Sequence, residues 1–211
     1  FLALSGISFS VTTLLAQSTN SLPFYFMIMI GIFAIIIPIL TMRLFAEDRR
    51  GRTEQVLLTA PVSLTGIVMG KYLAALTVFT ATLAVNSFNF VLLFQYGEPN
   101  AVNILANILG LFLIGSAFIA IGIFLSSLTE NQLIAVITSI GATMGLISLK
   151  FIADEIKFEF VRVIIKWFSV MDRYAPFTNE LFDITSIVYF ISLSAVFIFL
   201  TVRVYEKRRW S

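Results

Sequence analysis

Apolar residues come in long stretches along this chain, and the polar ones are gathered between them. Five stretches are long enough, as helices, to cross a hydrocarbon core of about 30 Å: Leu22–Leu44, Ile67–Phe94, Ala101–Ser126, Gln132–Leu149 and Ile184–Val204. Phe1 to Ala16 is equally apolar but falls short of the roughly 20 residues a crossing needs. It reads as the outer part of a first span whose beginning lies before Phe1. No basic residues precede it, as they would in a signal peptide. Inside lipid every backbone group must be satisfied within its own segment, so these stretches predict an all-α membrane protein. Gln17–Ser21, Gln95–Asn100 and Ser127–Asn131 are short turns between them, the second marked by Gly97 and Pro99.

Two segments break the pattern. Thr41 to Lys71 crowds Arg43, Glu47, Asp48, Arg49, Arg50, Arg52 and Glu54 into its first half, and Gly51 interrupts the charges. A short amphipathic pattern follows, with Val56, Leu57 and Leu58 apolar beside polar Arg52, Thr53 and Gln55, and Pro61 closes it. Such a segment is too short and too polar to span, so it lies in or beneath the interface. It is either a solvated loop or a docking element for a soluble partner. The second segment, 151–183, opens with a predicted amphipathic helix from Phe151 to Met171. Ile152, Ile156, Phe160, Ile164, Trp167 and Met171 form one side, with charges around the rest and Tyr174-Ala175-Pro176 as the stop. This is a surface helix with its aromatics at headgroup depth.

Within the spans, Pro38 should kink the second one, because its ring removes a backbone donor. Asn86 and Asn89 lie deep in the third, where unpaired amides are unfavourable. They either bond a neighbouring helix or face a wet pathway. Thr138 and Thr143 sit in the fifth, which is rich in small polar residues and suits close subunit packing or a pathway wall.

Composition narrows the function. Mean hydropathy is +0.98 and only 12% of residues are charged. The net charge of +2 comes from clusters and forms no basic stripe with interleaved aromatics, so nucleic-acid binding has no support. Cys and His are absent, which removes thiol chemistry, disulfides and the usual transition-metal ligands. No Gly-x-x-x-x-Gly-Lys-Ser/Thr loop occurs, and no carboxylate sits clearly within a span. The chain is therefore not expected to be an enzyme, and a carrier coupled to ions is disfavoured. Arg43, Arg49, Arg50, Arg52 and Lys71 share one side with Arg203, Lys207, Arg208 and Arg209, while the opposite short loops lack Lys and Arg. By the positive-inside rule that side is cytoplasmic, which leaves 151–183 external.

The run EDRRGRTEQVLLTAPVSLTGIVMGKYLAAL resembles the cytoplasmic segment of type-2 ABC exporter permeases. The matching positions are Glu47, Arg50, Gly51, Thr53, Glu54, Leu57, Leu58, Pro61, Gly70 and Lys71. Arg52 stands where that pattern has a small or apolar residue. The closest resemblance is to the small permeases of the gliding-motility and nitrous-oxide-accessory type. It extends over nearly the whole chain, including the last span, DITSIVYFISLSAVFIFLTVRVYEKRRW. The resemblance implies a single six-span permease domain over 1–211, the first span incomplete here. A coupling helix within 45–66 would sit in a groove of an ATP-binding subunit. ATP and Mg would then belong to two copies of that ATPase, and a second permease subunit, identical or different, would complete the unit. Membrane lipid and an external substrate-handling protein are further implied partners. The alternative is an anchor or assembly subunit of a surface machine that transports nothing itself.

Overall fold

The computed structural model describes residues 1–14, 22–51, 63–96, 100–178 and 183–209. Among them no strand occurs, and the protein is an all-α membrane protein. α1 (Leu2–Phe9) passes into a π-helical turn, Ser10–Leu14. α2 (Leu22–Thr41) is followed after Met42 by the short α3 (Arg43–Arg50). α4 spans Leu64–Tyr96, α5 Ala101–Leu128 and α6 Gln132–Glu155. Two short helices come next, α7 (Glu159–Phe168) and α8 (Val170–Thr178), before α9 (Ile184–Arg209). Five helical stretches are long and apolar enough to cross a membrane, α2 with α3 counting as one. We call the end of the bundle that carries α3 basal and the opposite end distal.

The bundle is assembled around α5. Its most apolar stretch is 72% buried, against 50% or less in the other four. α2, α3, α4, α6, α8 and α9 all pack on it. Small residues make this possible, since lipid offers no hydrophobic drive and helices associate by close approach. At Gly122 a β-carbon would collide with the Thr41 side chain, so glycine is what lets the end of α2 lie against α5.

Pro38 lies inside α2, yet the helical run continues past it to Thr41. Proline leaves the carbonyl four residues earlier, that of Ala34, without its helical donor. Thr143 of α6 brings a donor to it, its hydroxyl 3.0 Å from the Ala34 oxygen and sharing its one proton with the Ser139 carbonyl at 2.9 Å. The proline and the threonine are one feature, split between two helices.

The expected helix over Phe151–Met171 is three pieces. Its first residues prolong α6 to Glu155. Ile156 and Phe158 are extended, and α7 begins after them. The run then breaks again at Ser169, which is fully buried, and whose hydroxyl accepts a hydrogen bond from the Asp172 amide at 3.2 Å. That is an N-cap, and it starts α8. The break changes which side is covered. α7 has no buried residue, with Phe160 and Trp167 well exposed, whereas Val170, Met171, Tyr174 and Phe177 of α8 are buried. Tyr174 and Pro176 lie inside α8 and do not end the preceding helix.

Candidate functional site: the basal junction

The basal end is where the charged segment begins. The step from α2 to α3 at Met42 exposes backbone groups that a continuous helix would pair, and α5 satisfies them. The Ser126 hydroxyl accepts from the amides of Phe45 and Ala46, at 3.2 and 3.1 Å, and donates to the Met42 carbonyl at 2.8 Å. Ser126 is fully buried, so each of these contacts replaces an otherwise unpaired group.

Three cations extend the junction. Lys71, at the start of α4, donates to the Leu44 carbonyl and to the Asp48 carboxylate. Its ammonium also lies 4.4 Å from the centre of the Phe45 ring. Lys71 and Asp48 are 23% and 26% exposed, so solvent screens this pair only partly. Arg49 forks onto the end of α5, reaching the Leu128 carbonyl at 2.9 Å and Glu130 at 2.8 Å. Arg208 of α9 donates to the Ser127 carbonyl at 2.8 Å. Tyr205, one turn before Arg208, sets its ring 4.9 Å from that of Phe45. The first turns of the charged segment are thus fixed to α4, α5 and α9 together, around a fully buried Phe45.

Of the expected coupling residues, Glu47 and Arg50 are exposed on α3, and exposed Gly51 follows the helix as its C-cap. Arg50 and Arg43 line a shallow cleft with Glu130 and Gln132. Thr53, Glu54, Leu57, Leu58 and Pro61 lie outside the described residues. Sequence reasoning gave Ser126 and Tyr205 no role at this end and placed Asp48 in the charged run without a partner. Asp48 and Lys71 carried a usable signal: opposite charges flanking one polar loop. Ser126 carried none, because its partners lie about 80 positions away in the chain.

The candidate pathway residues are placed as follows. Asn86 is buried, and its amide donates to the Tyr25 hydroxyl of α2 at 3.0 Å. Asn89 donates to the Asn86 side-chain oxygen at 3.0 Å. Rings of Phe9, Phe26 and Phe90 surround Tyr25 at centroid distances of 5.4 to 5.8 Å. Thr143 bonds α2 as described, and Thr138 is exposed, its hydroxyl turned back to the Ile134 carbonyl at 2.7 Å. Asn86 and Thr143 therefore join helices within this chain. Among the described residues no group of His, Cys, Asp and Glu could hold a metal ion.

No curated protein and no solved structure matches this chain. The model of one family, described as ABC-2 family transporter protein, matches residues 5–210. That span takes in the described spanning helices, the basal junction and both distal helices, so the chain belongs to the ABC-2 transporter family and is a permease component of an ABC transporter, a multi-pass membrane subunit that works with an ATP-binding subunit.

Proposed function

We propose that this chain is the membrane-spanning permease subunit of an ATP-driven exporter, and that the segment 45–66 couples it to a separate ATPase. ATP and Mg are held by that ATPase, which is present in two copies facing two permease subunits. Within the family we place the chain nearest the small gliding-motility and nitrous-oxide-accessory permeases, on the motif over 47–71 and the last span. The basal end is cytoplasmic in this reading, which the nine basic residues from Arg43 to Lys71 and from Arg203 to Arg209 support.

The observation that carries this reading is the basal junction. Lys71 and Asp48 clasp the two ends of the loop that contains 52–62. A load on that loop therefore reaches α2 and α4 at once, α5 through Ser126 and Arg49, and α9 through the Phe45–Tyr205 contact. A merely solvated loop would need none of these ties. A second permease copy has a face to meet along α6. Ile134, Thr138, Gly141, Gly145, Ser148 and Ile152 form one exposed row, and open space surrounds both glycines.

The test is Leu58→Asp. An unpaired charge in a buried interface is strongly unfavourable, by about 3–5 kcal/mol when one partner of a pair is absent. The variant should remain in the membrane yet release the ATPase, or leave its turnover uncoupled from export. Glu54→Ala, at a rim position worth about 0–1 kcal/mol, should be mild. Pull-down of the ATPase and its turnover in lipid read both. Normal association together with normal coupled transport in Leu58→Asp would refute the assignment.

A further inference from the structure

Among the described residues Lys150 has no ion-pair partner. It lies on α6 five residues before the helix ends at Glu155, about 7 Å inward along the axis. It lines a distal cleft of about 360 Å³ between α2, α6 and α8. Two other cations at this end are engaged: Lys166 pairs with Asp154 at 3.2 Å, and Arg173 stacks over the Trp167 and Tyr189 rings, whereas Lys157 is exposed to solvent and lines no cleft with Lys150. Lys150 has neither ion pair nor hydrogen bond to the described residues, and no carboxylate lines the cleft.

A lysine near the end of an exposed spanning helix usually bends its stem toward water. Here α8 shares the cleft into which Lys150 opens. Met171, Tyr174 and Ala175 wall the cleft on one side, and the Tyr174 hydroxyl is already committed to Asn107 at 2.6 Å. A half-buried ammonium with apolar neighbours calls for an anion. The opposite wall says what else that anion carries. Phe24 and Met27 of α2 are 60% and 44% exposed, and buried Ile30 continues their line into the bundle. Phe24 and Met27 thus present an exposed apolar strip on α2 beside Lys150. A small soluble anion would leave it uncovered. A zwitterionic headgroup would bring a second cation to a cleft with no carboxylate to receive it.

We propose that this cleft binds an anionic phospholipid of the distal leaflet, with Lys150 on the phosphate and an acyl chain along Phe24 and Met27. The site does not depend on the coupling assigned to 45–66, so either can fail without the other.

Native mass spectrometry of the purified full-length permease, supplied with equal phosphatidylglycerol and phosphatidylcholine, tests this. The wild type should retain phosphatidylglycerol about tenfold more than phosphatidylcholine, because both offer Lys150 a phosphate but only phosphatidylcholine brings a second cation beside it in a partly dry site. Lys150→Gln should erase that preference and Lys150→Arg should keep it. Met27→Trp fills the apolar wall without touching the charge, and should lower retention of both lipids. An unchanged preference in Lys150→Gln would overturn the proposal. Displacement of phosphatidylglycerol by inorganic phosphate at equal concentration would also overturn it, by showing that the anion alone is recognised.

Discussion

The two ends of the bundle hold their short helices by different means. At the basal end α3 is tied by ions, Lys71 to Asp48 and Arg49 to Glu130, with one buried hydroxyl, Ser126, at the centre, and Arg208 joins α9 to α5 beside them at the Ser127 carbonyl. At the distal end the buried contacts of α8 are neutral, and its one cation, Arg173, stays at the rim over the Trp167 and Tyr189 rings. Tyr174 donates to Asn107 at 2.6 Å, Asn107 donates in turn to the Asn103 carbonyl at 2.8 Å, and the α8 rings press on bare backbone at Gly110. Ionic contacts at a rim are individually weak and exchange readily with water or with a partner's charges. Buried neutral pairs with close packing have no such substitute, because any rearrangement leaves a polar group unpaired. The basal end is therefore suited to rearrange when a partner pushes on it, and the distal end to stay put.

The largest expected effect comes from breaking the distal end. A β-carbon at Gly110 would lie 2.7 Å from the Tyr174 ring and 3.1 Å from that of Phe177. Gly110→Leu should force α8 off α5 and separate Tyr174 from Asn107. Overpacking of this kind is destabilising by about 1–3 kcal/mol, and the lost interhelical hydrogen bond adds roughly 0.6 kcal/mol in a membrane setting. The thermal midpoint of the purified protein should fall further than for any basal substitution below, and protease should cut between α7 and α8. An unchanged midpoint would mean that α8 is not seated as described.

How much of this was legible in the sequence depends on how far apart the partners lie. The five long spans follow from hydropathy alone, and their ends shift by only a few residues, because a helix in lipid has no other way to pair its backbone. Pro38 announced a freed carbonyl, and Thr143 was among the polar residues of the fifth span, but nothing in the chain order says that α2 and α6 meet there. Asn86 announced a need for a partner without naming Tyr25. The distal helices were the least legible part. Ser169 sits in an amphipathic run whose period continues across it, so the change of buried face between α7 and α8 has no counterpart in the apolar pattern. Only a capping serine three residues before Asp172 marks the restart.

An intermediate effect should follow from removing the centre of the basal end. Ser126→Ala deletes the acceptor for the Phe45 and Ala46 amides and the donor to the Met42 carbonyl. Leaving such buried groups unpaired is destabilising by about 1–3 kcal/mol. The stability loss should be below that of Gly110→Leu, since no atoms clash. The loss of coupling should be larger, since Ser126 is the buried tie between α3 and α5. Asp48→Asn removes one ion from a half-exposed pair and should act in the same direction but less, and less again at high salt. ATPase turnover measured with and without transport at two salt concentrations separates the two. If Gly110→Leu uncouples turnover while Ser126→Ala does not, the contrast between the ends is reversed.

The smallest effect belongs to a carboxylate at the distal end, and it is read by pH. Asp183 precedes α9 and caps it. Its carboxylate accepts from the Ser186 hydroxyl at 2.8 Å and from the amides of Thr185 and Ser186 at 3.1 and 3.2 Å. The Ser186 hydroxyl foremost, and those amides with it, hold the Asp183 carboxyl below its ordinary value of 3.8, against a smaller opposing effect of desolvation. A group whose folded pKa is depressed stabilises the fold only while it is ionised. Its contribution is present in full above the ordinary aspartate range and is lost as pH falls through the lower folded value. The gap in thermal midpoint between wild type and Asp183→Ala should therefore be constant from pH 8 to about pH 5 and close below about pH 4. Capping gains at a solvent-exposed helix start are small, so the gap should stay under that of Ser126→Ala at every pH. A gap that widens on acidification would mean that the protonated form is the one the fold prefers, and Asp183 would then not be the cap of α9.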